Sequence, residues 1–198
     1  MVRAAGPTRR DRGARLVGGR GQALAASRRD RPPRGRDRRE QRVSDVEGIL
    51  RLPLVRLADE RGWFSELRRD SRLPEPVVQT NLSWSRAGVI RGLHWHRRQS
   101  DLFACLRGTA RVVVLDRETG ATFVEEIGDE NPVALWIPGH HAHGFEAITE
   151  ILFCYHVTAE FDPRDPDEHG VAWDDPRVAH LWSTRTPILS ERDRAAAS

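Results

Sequence analysis

From Val46 onwards the chain is a succession of short runs rich in Val, Ile, Leu, Phe and Trp, separated by turn residues, most often Gly, Pro or Asp. Runs of strand length broken at regular intervals by turn residues predict β-structure. Strands are expected over 49–56, over 63–67 after the turn Asp59-Glu60-Arg61-Gly62, and over 77–85, 89–95 and 102–106. After a turn at Arg107-Gly108 they continue over 110–115, then over 122–127 beyond Glu118-Thr119-Gly120, and over 134–137, 144–147 and 150–158. Many short strands at even spacing argue for an all-β fold, an antiparallel sandwich or jelly-roll barrel. Only beyond Asp162 does the pattern change, to a Pro- and Asp-rich loop with a short helical turn near Asp175 to Ala179 as a C-terminal helical segment. No repeat of 20–50 residues is evident.

Within this pattern the run 77–85 alternates, so that Gln79, Asn81, Ser83 and Ser85 share one polar face. That face is either a solvent-facing edge or the polar wall of a binding cavity, and alternation alone supports both.

Residues 1–44 are different: Arg, Gly, Ala and Pro with almost no periodic apolar pattern, too little to offset the entropy of ordering. The expected organisation is therefore a disordered Arg-rich tail over 1–44 and one folded domain over 45–198. The tail reads as an arm for an acidic partner, as a solvated extension, or as a start assigned too early. It carries 14 Arg against Asp11, Asp30, Asp37 and Glu40, which is +10 and leaves −7 for the remainder of a chain of net charge +3. A mildly acidic body argues against nucleic-acid binding despite the basic total. All 32 basic residues are Arg, which excludes Schiff-base lysine chemistry. Cys105 and Cys154 lie in apolar runs as small hydrophobes, without a disulfide framework. No apolar stretch approaches the roughly 18 residues of a membrane span. The N-terminus lacks the apolar core of a secretory signal, so a cytoplasmic protein without membrane contact is expected.

The candidate chemistry gathers around Arg91-Gly92-Leu93-His94-Trp95-His96. On a strand, His94 and His96 point the same way. Asp101 follows five residues after His96, then Gly108, and the later loop Ile137-Pro138-Gly139-His140-His141-Ala142-His143 brings a further histidine. His94, His96 and Asp101, with Pro138 and His143, resemble the two motifs of the cupin superfamily, Asp standing in the usual Glu position. On that reading His94, His96, Asp101 and His143 make a mixed nitrogen and oxygen site suited to a divalent metal such as Fe, Mn, Ni or Zn. An ordinary hydrogen-bonded histidine pair is the plainer alternative.

A second resemblance is longer. Asp59-Glu60-Arg61-Gly62-Trp63-Phe64-Ser65-Glu66, the alternating Gln79, Asn81, Ser83 and Ser85, and Gly88-Val89-Ile90-Arg91-Gly92-Leu93-His94 resemble, in order, the dTDP-4-dehydrorhamnose 3,5-epimerase family. So do Ile137-Pro138, Ala142-His143-Gly144-Phe145, Tyr155, Glu168-x-Gly170-x-x-Trp173-Asp174-Asp175-Pro176 and the closing Leu189-Ser190-Glu191-Arg192-Asp193, together spanning about 46–193. The resemblance implies a cofactor-free jelly roll, a homodimer, acting on a nucleotide-linked 4-keto-6-deoxyhexose in deoxysugar biosynthesis. It implies catalytic roles for His94 as base, Asp193 as the carboxylate that orients it, and Tyr155 as acid. Arg91, His143, Gln79 and Asn81 would line the sugar pocket, and Arg61, Phe64 and Glu66 would hold the nucleotide, across the dimer interface in the family's manner. Each has a plain structural alternative: a satisfied core histidine, a barrel tyrosine, a terminal aspartate.

One departure bears on mechanism. Where the family usually carries a Lys that stabilises the enolate oxygen, this chain has Asp101, after a loop about three residues shorter, and His96 stands where the family has Gln. A carboxylate beside a developing enolate would raise the barrier. The same two substitutions complete the metal motif, so a metal-dependent cupin remains the alternative enzyme, and a sugar-nucleotide-binding cupin the non-enzymatic one. Epimerisation at C3 or C5 alone is also open.

Overall fold

In the computed structural model, which describes residues 44–196, the apolar runs form antiparallel strands. They are β1 (Leu50–Pro53), β2 (Leu57–Asp59), β3 (Gly62–Phe64), β4 (Gln79–Ser85), β5 (Ile90–Trp95) and β6 (Asp101–Arg107). Then follow β7 (Thr109–Leu115), β8 (Thr122–Gly128), β9 (Val133–Ile137), β10 (Ala142–Ala147), β11 (Ile151–Val157) and the two-residue β12 (His169–Gly170). One five-stranded sheet runs in the order β1-β9-β6-β11-β4 and the other β12-β5-β10-β7-β8, while β2 and β3 form a separate hairpin. The expected tail lies outside the described residues, apart from Ser44.

The core between the sheets is built from the inward residues of both. Phe145 of β10 stacks on Phe153 of β11 with ring centroids 3.9 Å apart, and Phe103 of β6 meets Phe153 edge-on at 5.2 Å. The outer faces are covered as well. Ile90, Leu93, Val113 and Leu115 pack under Val178 and Trp182 of the C-terminal segment, and Leu102, Ala104, Ala134 and Trp136 pack with Val77, Leu52 and Leu67. A strand buried on both faces has no reason to alternate, which explains the near-continuous apolar sequence of β7 and β9.

Strand β4 is the exception. Gln79, Asn81, Ser83 and Ser85 turn inward, whereas Leu82 and Trp84 on the other face are 62% and 51% exposed. The polar face is therefore the side of β4 turned towards the protein, half-buried at Gln79, Asn81 and Ser83 and buried at Ser85.

Strands β5 and β10 approach closely because both present glycine. Gly92 has φ +124°, and a Cβ there would lie 2.7 Å from Gly144 Cα. His94 pairs with His143 in this stretch, and the register then shifts before Phe145. The glycines thus bring two histidines of neighbouring strands side by side.

The first segments are shorter than expected: 49–56 keeps only β1, and the turn at 59–62 closes the hairpin of β2 and β3. The helical turn falls at Ala179–Leu181, and a five-residue helix α1 (Glu191–Ala195) follows. Ser190 caps α1, its side chain accepting from the backbone N–H of Asp193. No helix among the described residues is long and apolar enough to cross a membrane.

Candidate active site

Inward side chains of β5, β6, β10 and β11 open onto a cavity of about 210 Å³, closed on one side by α1 and the segment around Glu168. Arg91, His94, His96, Asp101, His143, Tyr155 and Asp193 all line it. Their convergence depends on strand order: β5 and β10 are neighbours in one sheet, β6 and β11 in the other.

His94 sits near the end of β5, and its Nε2 lies 2.8 Å from Asp193 Oδ1. A carboxylate only accepts, so Nε2 carries the proton and Nδ1 keeps the lone pair. Arg192 stands against the ring, Nη2 being 3.2 Å from Nδ1 and 2.7 Å from Nε2, and it also pairs with Glu168. Asp193 is only 5% exposed. Burial raises its carboxyl, but the His94 hydrogen bond and charge, the Ser190 hydroxyl and Arg192 outweigh this and hold it below the usual carboxylate range.

Tyr155 approaches from β11, in the opposite sheet, where it pairs with Phe103 and Asn81. Burial, reinforced by the Asp101 charge and opposed by Arg91, pushes its phenol above the ordinary value. The hydroxyl is therefore a proton donor at neutral pH. Arg91 is fixed by β4, its Nε donating to Ser85 Oγ at 3.0 Å and its Nη2 to the Trp84 carbonyl at 3.3 Å.

His96, Asp101 and His143 form a second, deeper group, each no more than 5% exposed. Asp101 Oδ2 lies 3.3 Å from His143 Nε2 and 3.8 Å from His96 Nε2. Gln99 Nε2 donates to both Asp101 oxygens at 3.2 and 3.3 Å. Burial raises the Asp101 carboxyl, but bonding and charge from His143, with His96 and Gln99, bring it below its ordinary value. Burial chiefly lowers His96, which favours the neutral imidazole. The four-residue metal set expected from sequence is thus divided: His94 is bonded to Asp193, and His96, Asp101 and His143 stand together.

The remaining expected residues lie apart. Gln79 Nε2 donates to Asn81 Oδ1 at 2.8 Å and Gln79 Oε1 accepts from the Phe161 N–H, both residues lying outside the cavity lining while Ser83 of the same face belongs to it. Arg61 pairs with Asp59 on the hairpin, Phe64 is 68% exposed and Glu66 pairs with Arg69. None of these three lines the cavity of its own chain. Conversely, Gln99, Glu168 and Arg192 line it without having been singled out as site residues. Arg192 adjoins Asp193 in the capped last helix, and Gln99 precedes Asp101 by two, so adjacency was the available signal.

Once Arg192 turns away from the ring, a histidine with a carboxylate behind it and a protonated phenol from the facing sheet can remove a proton from one side of a bound carbon acid and return one from the other.

The sequence model of the dTDP-4-dehydrorhamnose 3,5-epimerase family matches residues 44–198. The spore coat polysaccharide biosynthesis protein SpsL of Bacillus subtilis is 35% identical over 147 residues, 70% of this chain and 97% of SpsL. The dTDP-4-dehydrorhamnose 3,5-epimerase of Pseudomonas aeruginosa is 36% identical, covering 77% of this chain and 91% of that enzyme. Among solved structures, NovW, a 4-keto-6-deoxy sugar epimerase from the novobiocin cluster of Streptomyces spheroides, superposes with a TM-score of 0.69 at 33% identity, over 76% of this chain and 82% of NovW. The Legionella pneumophila enzyme solved with dTDP-4-keto-L-rhamnose superposes with a TM-score of 0.70 at 28% identity, over 77% of this chain and 88% of that one.

Proposed function

The chain belongs to the dTDP-4-dehydrorhamnose 3,5-epimerase family, and we propose from that premise that its cavity inverts C3, C5 or both of a dTDP-linked 4-keto-6-deoxyhexose through an enolate. It is an isomerase, an epimerase of nucleotide-linked 4-keto sugars. The ketone at C4 acidifies the protons on its two neighbouring carbons, so one well-placed base suffices. His94 Nδ1 takes the proton, the C–H electron pair moves into the carbonyl, and Asp193 stabilises the imidazolium. Tyr155 then delivers its phenolic proton to the carbon from the opposite face, and solvent restores both groups. The single observation that carries this reading is the placement of the His94–Asp193 pair and Tyr155 on facing sheets of one cavity.

Because Arg192 Nη2 lies against the His94 ring, 2.7 Å from Nε2 and 3.2 Å from Nδ1, substrate entry requires that guanidinium to turn aside, towards Glu168 or onto the substrate. Arg91 contributes positive charge along the sugar, and His143 lines the pocket beside it. The chemistry itself transfers only protons and needs no redox cofactor. The nucleotide is assigned to Arg61, Phe64 and Glu66 of a second subunit, since these lie away from the cavity of their own chain. Exposed Leu82 and Trp84 on edge strand β4, with Trp63 and Phe64 of the hairpin, supply apolar surface for such a homodimer. A cytoplasmic location follows from a nucleotide-sugar substrate.

The test is proton NMR of the protein with dTDP-4-keto-6-deoxyglucose in D2O. Loss of the C3 or C5 signal establishes enolate formation and identifies the carbon. Retention of both signals through prolonged incubation with folded protein would rule this reading out.

A further inference from the structure

Among the described residues, His96, Asp101 and His143 are the group of His, Cys, Asp or Glu side chains whose donor atoms converge, all lying within 4.8 Å of one another. What surrounds them fixes which atoms are presented. His96 Nδ1 donates to the Asp167 carbonyl, and His143 Nδ1 donates to the His141 carbonyl at 2.9 Å. A carbonyl accepts and cannot donate, so the proton of each neutral ring sits on Nδ1 and Nε2 presents a lone pair. Both Nε2 atoms face Asp101 Oδ2, at 3.3 and 3.8 Å. Three acceptor atoms therefore point at one another in a buried place. The Gln99 carboxamide is a donor beside them, 3.2 and 3.3 Å from the Asp101 oxygens and 3.4 Å from His96 Nε2, but it does not reach His143 Nε2. Such a cluster requires a positive centre at its focus: a proton on His143 or a metal ion.

We propose that His96, Asp101 and His143 form a binding site for one divalent transition-metal ion on the wall of the cavity, with His94 outside it. Two imidazoles and one carboxylate suit Zn, Mn, Fe or Co in the divalent state and leave positions open towards the cavity. Ligand atoms on one such ion sit about 3–3.4 Å apart, so the rings close in on Asp101 from within 4.8 Å of one another to bring all three to bonding distance. The outer support of an ordinary metal histidine is also in place, each ring held through Nδ1 by a backbone carbonyl and the carboxylate held by Gln99. His94 cannot join, because its ring is held by Asp193 at Nε2 and by the Arg192 guanidinium along the Nε2–Nδ1 edge.

The site rests on this geometry alone; its consequence for catalysis rests on the epimerase reading. A bound divalent ion supplies the positive charge that an enolate oxygen needs, where Asp101 by itself would repel it.

The full-length protein is stripped with chelator, dialysed, and titrated with Co(II), following visible absorption and the equivalents bound. One equivalent is expected to saturate, with visible bands of mixed nitrogen and oxygen ligation. His96→Gln and Asp101→Asn are each expected to weaken binding by at least about tenfold, and His94→Asn to leave it within a factor of about three, since that ring is not a ligand. Wild-type protein without saturable binding up to millimolar Co(II) overturns the proposal and leaves the shared proton as the positive centre. So does wild-type-like binding by His96→Gln and Asp101→Asn, or equal loss in His94→Asn. The wild-type titration needs no variant to fold, and circular dichroism qualifies each variant. Deuterium exchange on stripped protein separates the two readings. Exchange without Co(II) binding sinks the metal site and keeps the epimerase, whereas Co(II) binding with no exchange in either form does the reverse.

Discussion

His94 Nε2 and Asp193 Oδ1 are 2.8 Å apart although 99 residues separate them in sequence. The contact depends on α1, whose Ser190 cap holds Asp193 in the first turn, and on β5, which aims His94 into the cavity. Replacing His94 by Asn removes the base, and C–H exchange should fall by about 10²- to 10⁴-fold. Asp193→Asn keeps a base but loses its charged partner, so kcat should fall by less than in His94→Asn. Both are read by NMR rates in D2O, and an Asp193→Asn enzyme as fast as wild type would disconnect the pair from catalysis.

Tyr155 faces His94 across the cavity from the other sheet, and its raised phenol remains protonated. Tyr155→Phe removes the acid without touching the base. Deuterium should still enter C3 or C5, because the His94 imidazolium exchanges with solvent and can return a deuteron to the same face. Inverted product should fall by about 10²-fold or more. A variant that inverts at the wild-type rate would assign the acid elsewhere.

The strand pattern made most of the sheet framework legible, because β4 to β11 each carry a compact apolar or alternating run, most of them closed by Gly or an acidic turn. The hairpin of β2 and β3 was harder to read, since Leu57, Trp63 and Phe64 are exposed and their apolar character does not report a core. Strand β12 has two residues and leaves no periodic trace; it exists because His169 and Gly170 pair with Trp95 and His94. At the site, motif order placed His94, Tyr155 and Asp193 together, but spacing could not divide the histidines. Alternation says that His94 and His96 point alike, yet only the structure shows one ring taken by Asp193 and the other by the Asp167 carbonyl.

Gly144 offers a test of how the fold sets the site. A Cβ at this position would overlap the Arg91 carbonyl and come within 3.0 Å of Gly92 Cα. Gly144→Ala must therefore part β5 from β10 beside the His94 and His143 pair. Overpacking of this kind costs about 1–3 kcal/mol, which urea unfolding would show as a lower midpoint. Activity should fall further than the small loss of folded fraction explains. A variant with wild-type midpoint and rate would mean that the strands yield without disturbing the histidines.

His156 lies behind the site on β11, 5% exposed, with Nδ1 2.9 Å from Thr80 Oγ1 and Nε2 3.7 Å from Cys154 Sγ. Burial lowers its pKa most, the Arg68 charge lowers it further, and Asp70 opposes both. The unfolded histidine, near 6.5, therefore binds protons at a pH where the folded one does not. Stability then rises with pH across this interval: the neutral ring's contribution is complete above about 6.5 and is lost as pH falls through the lower folded value. Thermal midpoints should drop between about pH 7.5 and about pH 5, and His156→Gln, which can still meet Thr80 but does not titrate, should drop less. Burial also lowers His96 and His141, so the dependence is reduced in the variant and not removed. Equal slopes for the two proteins would show that His156 does not contribute to acid sensitivity.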